Sequence, residues 1–167
     1  MILEKKCIGK CKQTDRHRIN YIGLQAISPF LKKQKKALFF SKEVWFHEYW
    51  FNDIDYSVFN SDNHLDVQDL KKIWGKYDWI SCCHILEHVR DDRKALEELS
   101  FSLRNDGVLH LQVPFPSKRF KTKDWGYQDR KDFGHYREYG GDFTLLLSEV
   151  LPEKYKVAAF IQDHCTN

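Results

Sequence analysis

The chain has 167 residues, 42% of them hydrophobic and 31% charged, a balance that suits one globular domain with a sizeable core and excludes a disordered tail. A net charge of +3 is too small for a dedicated nucleic-acid stripe, and no apolar run is long enough to span a bilayer. Aromatic residues make up 15%, enough to fill a core and still line a site for a flat ligand.

The opening stretch, Met1 to Lys12, is basic and poor in apolar residues, unlike a signal peptide. Of the five cysteines, Cys82 and Cys83 are adjacent in an apolar run, which reads as buried thiols in a reducing compartment and makes the cytoplasm the expected location. Cys7, Cys11 and His17 offer three zinc ligands without an evident fourth. Ile19, Ile22, Leu24, Ile27, Phe30 and Leu31 have helical spacing up to a break near Pro29, and Lys32 to Lys36 is a basic connector. Residues 1–34 are therefore expected to form an arm and helix ahead of a domain over 35–167.

Ala37 to Phe40 reads as a first strand, Glu43 to Phe51 as a short aromatic helix, and Tyr56 to Phe59 as a second strand ending at Asn60, Ser61 and Asp62. Tyr77 to Cys83 is apolar on both faces, as a central parallel strand should be. Asp91 or Asp92 can cap a helix that runs to Leu103 and presents Ala95, Leu96, Leu99 and Leu103 as one stripe. Asn105-Asp106-Gly107 stops it, with Gly107 suited to the left-handed position. Val108 to Val113 follows as a strand, residues 117–141 as a long polar and aromatic loop, Phe143 to Leu151 as a helix and Tyr155 to Ile161 as a last strand. Strands alternating with helices predict a mostly parallel α/β sheet covered on both faces, with ligands outside the carboxyl ends of its strands.

One stretch carries more than a fold class. Tyr77-Asp-Trp-Ile-Ser-Cys-Cys-His-Ile-Leu-Glu-His-Val89, the Asp91-Asp92 cap, the helix, and Leu103-Arg-Asn-Asp-Gly107-Val-Leu-His-Leu-Gln-Val-Pro114 together resemble class I S-adenosylmethionine-dependent methyltransferases of the type 11 kind. In these a strand ends in an "hxLEHh" block before a capped helix, an "L-(K/R)-P-G-G" turn and another strand; here Asn105-Asp106 replaces Pro-Gly. Phe133-Gly-His-Tyr-Arg-Glu-Tyr-Gly-Gly-Asp-Phe143 is similar to a "DHxRxYG-x-DF" stretch of one subgroup, which also tends to carry an N-terminal cysteine pair and an "RHR" element like Arg16-His17-Arg18. The resemblance implies a Rossmann-like sheet, S-adenosylmethionine as cofactor, and a methyl acceptor, small or macromolecular, that nothing in the sequence identifies. Two departures stand out. The first turn, Leu38-Phe39-Phe40-Ser41-Lys42-Glu43, has no glycine, and no counterpart of the usual last antiparallel strand follows Ile161, leaving an edge that the arm or a second copy in a homodimer would cover.

Asp62 ends a strand about twenty residues after Phe40, where a carboxylate can accept hydrogen bonds from both ribose hydroxyls; a turn aspartate is the alternative. The resemblance puts Asp66 and Val67 at the adenine, with a helix-capping aspartate as the alternative, Phe40, Glu43 and His84 toward the methionine end, Leu86 near the adenine or ribose, and Ser41 and Cys83 among the other cofactor contacts. His84-Ile-Leu-Glu87-His88 spells H-x-x-E-H, but leaves a strand rather than lying on a helix, against a zinc-protease motif. Ubiquinone-pathway O-methyltransferases have E-x-x-E-H there and can hold a divalent metal; Glu87 and His88 match, whereas His84 replaces a carboxylate. The preferred reading has Glu87 and His88 hydrogen-bonding loop backbone, with no metal. His135, beside Tyr136, Arg137 and Tyr139, is the best general-base candidate, although methyl transfer needs little beyond alignment. Two other readings remain: a non-catalytic relative with an altered cofactor site, or a module binding single-stranded nucleic acid or another partner through Lys118, Arg119, Lys121, Lys123 and Arg130 interleaved with Phe120, Trp125 and Tyr127.

Overall fold

A computed structural model describes residues 21–23, 25, 36–41, 51–114, 119–153 and 155. Strands β1 (Lys36–Phe39), β2 (Asp53–Tyr56), β3 (Tyr77–Cys83) and β4 (Leu103–Gln112) form a parallel sheet in the order β2-β1-β3-β4. Side chains alternate across a strand, and β1 shows it. Leu38 and Phe40 join Ile80, Cys82, Ala95, Leu96 and Leu99 on one face, whereas Ala37 and Phe39 meet Phe51 and Trp79 on the other. Both faces of the two central strands are thus covered, which is why β3 reads as a nearly continuous apolar run.

Helix α1 (Asp92–Ser102) begins where expected: the Asp91 carboxylate accepts the Lys94 N–H at 3.0 Å. Its buried Glu98 accepts the Leu70 N–H at 2.8 Å and the Trp74 indole N–H at 3.0 Å, fastening the 65–75 loop to the helix. Helix α2 (Phe143–Val150) packs against α1 and buries Leu147.

Three expectations change. The second strand lies three residues earlier than expected. Asp53 and Asp55, which look too polar for a strand, sit on an edge where Lys36 Nζ bridges them at 2.7 and 3.2 Å and the Tyr77 hydroxyl donates to Asp55 at 2.8 Å. The helix-to-strand turn is a bulge within β4, and Asp106, not Gly107, takes the left-handed conformation, at φ 64°. Gly107 is needed for a different reason: a Cβ there would lie 3.0 Å from the Arg104 carbonyl oxygen and 3.1 Å from the Leu103 side chain. The third change concerns the expected loop over 117–141, which contains an antiparallel hairpin of β5 (Lys123–Asp129) and β6 (His135–Glu138). Phe133 at φ 55° and Gly134 at φ 78° turn the chain between them. The Glu43 to Phe51 helix, all but Tyr155 of the last strand, and Cys7, Cys11 and His17 fall outside the described residues, apart from Phe51, which is buried coil. Of the first helix, Tyr21 to Gly23 and Gln25 are described and helical. No helix among the described residues is long and apolar enough to cross a membrane.

Candidate functional site

β1 pairs with β2 on one side and with β3 on the other, so the strand order reverses between β1 and β3. In open α/β sheets the crevice outside the carboxyl ends at such a point receives the ligand. Phe40 and Ser41 leave β1 there, the 57–70 segment follows β2, and His84 to Arg90 follow β3.

The β3 exit is under strain. His84 donates its backbone N–H to Gln112 O at 2.8 Å and then turns into the left-handed region at φ 56°, uncommon for a residue with a Cβ. A tight turn follows at Leu86–His88. Leu86 is packed into the core, so this residue supports the site from beneath. Glu87 turns inward and is 1% exposed, yet neither of its carboxylate oxygens has a hydrogen-bond partner among the described residues. The nearest donor candidate, His84 Nδ1, lies 3.4 Å away without hydrogen-bond geometry, and His84 Nε2 is itself buried without a partner. The expectation that Glu87 hydrogen-bonds loop backbone is therefore corrected, since no backbone donor among the described residues reaches its carboxylate, whereas His88 does have a backbone partner, Gly134.

That backbone is held by Arg137 instead. Its guanidinium, 4% exposed, donates to the carbonyls of Leu86 (3.1 Å), Val89 (2.6 Å) and Arg90 (2.8 Å) and to the Asp124 carboxylate (2.8 Å). Burial alone would disfavour its charge, but the Asp124 hydrogen bond and the Asp92 carboxylate more than offset that and hold its pKa above the ordinary arginine value. Tyr139 donates its hydroxyl to Asp92 at 2.8 Å, and burial with that carboxylate pushes the phenol well up. The hairpin is thus bolted onto the β3 exit loop. The sequence resemblance flags the Arg-x-Tyr stretch but not its role as the loop's clamp.

The hairpin also brings His135 to the site. Its side chain is 14% exposed, its Nδ1 is 3.4 Å from Asp132, and its ring meets that of His88 edge-on with centroids 4.6 Å apart. Burial lowers the His88 pKa below the usual histidine value; Glu87 opposes the shift and His135 adds to it. Donor atoms of Glu87, His88 and His135 all lie within 4.8 Å of one another. Cys83 is buried, with Sγ 3.6 Å from His110 Nδ1, which is also 3.0 Å from the Ser81 hydroxyl. Burial and the neighbouring Cys83 and Glu87 raise the Cys82 thiol well above its usual range, and neither cysteine is in a disulfide.

The remaining predicted residues are spread along the same edge. Phe40 and Val67 are core residues and Ser41 is half-buried. Asp66 is exposed and caps its own turn, accepting the Gln68 N–H at 2.9 Å. Asp62 is exposed in the turn beyond β2, without a hydrogen-bond or ion-pair partner among the described residues. Glu43 lies outside the described residues. Along the basic aromatic segment Phe120, Tyr127 and Phe133 are exposed, and Lys123 lies over the Trp125 ring.

Comparison with known proteins places this geometry. A family model described as a methyltransferase domain matches residues 15–145. A crystal structure from Bacillus halodurans C-125, of a protein assigned as a methyltransferase, superposes with a TM-score of 0.57 at 14% identity, covering 78% of this chain and 64% of that one. A protein from Galdieria sulphuraria, assigned as a sarcosine dimethylglycine methyltransferase, gives 0.53 at 14% identity, with 82% and 60% covered. This chain therefore spans less than two thirds of the length of either structure. No curated protein matches it in sequence.

Proposed function

The chain belongs to the methyltransferase-domain family, and on that premise we propose that it binds S-adenosylmethionine across the β1/β3 switch point and transfers its methyl group to an acceptor. The observation that carries the reading is the reversal of strand order there, with a carboxylate-bearing turn beyond β2 on one side and the strained His84 exit on the other. The residues fit such a cofactor in their chemistry. Asp62, exposed and without a partner among the described residues, is available to accept the ribose hydroxyls, and Asp66 to accept from the adenine edge. Phe40, Val67 and Leu86 give an apolar floor. Ser41 and Cys83 stand at the carboxyl ends of β1 and β3, and His84 turns the chain into the loop beside them.

When bound, the cofactor supplies an electrophilic methyl group on a sulfonium. The protein's part is to fix the position of the two reactants, which by itself accounts for much of the rate in a bimolecular transfer. Arg137 does this at the acceptor side by fastening the exit loop to the hairpin. Phe120, Tyr127 and Phe133, exposed on and around that hairpin, offer apolar and aromatic surface to an acceptor.

Calorimetric titration with S-adenosylmethionine and S-adenosylhomocysteine tests the reading. Binding of both is expected, weakened about ten- to a hundredfold in Asp62→Ala through loss of hydrogen bonds to a charged acceptor. No heat at millimolar ligand would sink the proposal, and an unchanged affinity in the variant would remove Asp62 from the site.

A further inference from the structure

Glu87 poses a problem that the methyl-transfer reading does not solve. A carboxylate taken out of water without hydrogen bonds is costly, and buried charges are found paired or bound to metals. Glu87 is 1% exposed, neither of its oxygens has a hydrogen-bond partner among the described residues, and His84 Nδ1 stands 3.4 Å away. Two imidazoles lie against it. His88 is its sequence neighbour, but His135 comes from β6, across the hairpin, and no short motif joins the two.

We propose that Glu87, His88 and His135 bind one divalent first-row transition-metal ion. One carboxylate and two imidazoles form a donor set suited to zinc, iron, cobalt or nickel, and too rich in nitrogen for calcium or magnesium. The printed separations are compatible with it. Donor atoms held at about 2.1 Å from a tetrahedral metal stand roughly 3.4 Å apart, so side-chain rotations from the present arrangement, within 4.8 Å, close the set. His88 is exposed, which leaves a route for the ion and room for water or another ligand at the open positions.

The surroundings have the form of a metal site's outer shell, in which ligating histidines and carboxylates are oriented by further partners. Asp132 stands 3.4 Å from His135 Nδ1, close enough to orient the ring once that nitrogen carries a proton. The Gly134 backbone carbonyl lies against the His88 ring. His84 approaches one Glu87 oxygen, leaving the other free. Arg137, through the Leu86 and Val89 carbonyls on either side of Glu87 and His88, holds the turn that carries both. The arrangement uses His135 as a ligand rather than as a proton acceptor, since its lone pair cannot do both. It does not depend on cofactor binding.

The test uses the full chain, stripped of metal with a chelator and titrated with Co²⁺, followed by visible absorption and calorimetry. Uptake of about one equivalent is expected, with ligand-field bands of nitrogen and oxygen donors, no thiolate charge-transfer absorption, and displacement by Zn²⁺. His135→Ala and His88→Ala should each weaken binding at least about tenfold, and Glu87→Gln likewise. If Glu87→Gln fails to fold, the two histidine variants carry the test. The proposal is overturned if the wild-type chain takes up no Co²⁺ in large excess, if the double histidine variant binds as well as wild type, or if the bound ion shows a thiolate spectrum, which would move it to the cysteines.

Discussion

Replacing Arg137 separates the clamp from everything else in the site. Arg137→Met keeps the length of the side chain and its apolar stem but removes four hydrogen bonds, three of them to the carbonyls of Leu86, Val89 and Arg90. Hydrogen bonds to a charged group contribute about 1.5–3 kcal/mol each, but they are not additive within one network. Val89 and Arg90 also lie near enough to the surface for water to replace part of what is lost. The better guide is the cost of leaving a buried acceptor unsatisfied, about 1–3 kcal/mol, because the buried Leu86 carbonyl keeps its need for a donor, whereas the Asp124 carboxylate, 46% exposed, is rehydrated. That is a large share of the roughly 5–15 kcal/mol a domain of this kind has in total. Arg137→Lys keeps the charge and loses the planar fork, so it should recover about half. Urea unfolding of the three proteins measures this. A loss below about 1 kcal/mol in Arg137→Met would refute the clamp, since surface substitutions alone account for that much. In Arg137→Lys, cofactor or Co²⁺ affinity should fall more than stability does, because the exit loop loosens before the core.

Other expectations rest on single contacts. Gly140→Ala would put a Cβ 2.5 to 2.7 Å from backbone atoms of Phe120 and Lys121, neither of which can swing away, so thermal unfolding should show a loss of about 2–3 kcal/mol. An unchanged midpoint would mean that the hairpin does not pack there. Asp142 accepts the Thr122 N–H at 2.8 and 3.0 Å and its hydroxyl at 2.6 Å; burial pushes the Asp142 pKa up, but these hydrogen bonds more than offset it and hold it below the ordinary value. A depressed folded pKa gives stability that is complete above the unfolded value of about 3.9 and is lost as pH falls through the folded one. The stability gap between wild type and Asp142→Asn should therefore be full at neutral pH and shrink in acid below about pH 4; a gap independent of pH would reject the assignment.

The central sheet is legible in the sequence because its signals are local and physical. β3 has seven residues facing two buried layers, and hydrophobicity on both faces announces it. α1 has its cap at Asp91 and its apolar stripe from Ala95 to Leu99 close together in sequence. β2 is mislaid for the opposite reason. Asp53 and Asp55 are strand residues only because Lys36 on β1 and Tyr77 on β3 meet them, and those partners lie 17 and 22 residues away from the aspartates they bind. The hairpin hides in the same way: Lys123, Asp124, Arg137 and Glu138 form its paired ends, held by charge and by Asp142, so no alternation of apolar and polar residues marks it.

Once the hairpin is recognised, the site changes character. His84-Ile-Leu-Glu87-His88 in isolation has a partner for every group in the loop's own backbone, which is why a structural role for Glu87 is the natural reading of the motif. The structure gives those carbonyls to Arg137, and an arginine can only donate. Those carbonyls are acceptors, as the Glu87 carboxylate is, so they could not have satisfied it; Glu87 needs a donor or a cation, no N–H among the described residues reaches it, and the His88 and His135 donor atoms beside it suit the proposed ion. The same hairpin supplies both the clamp that fills the backbone's needs and the second imidazole. Loosening it should therefore weaken the metal site and the loop together, whereas losing His135 should weaken the metal site alone. That split separates a hairpin that merely braces the fold from one that completes the site.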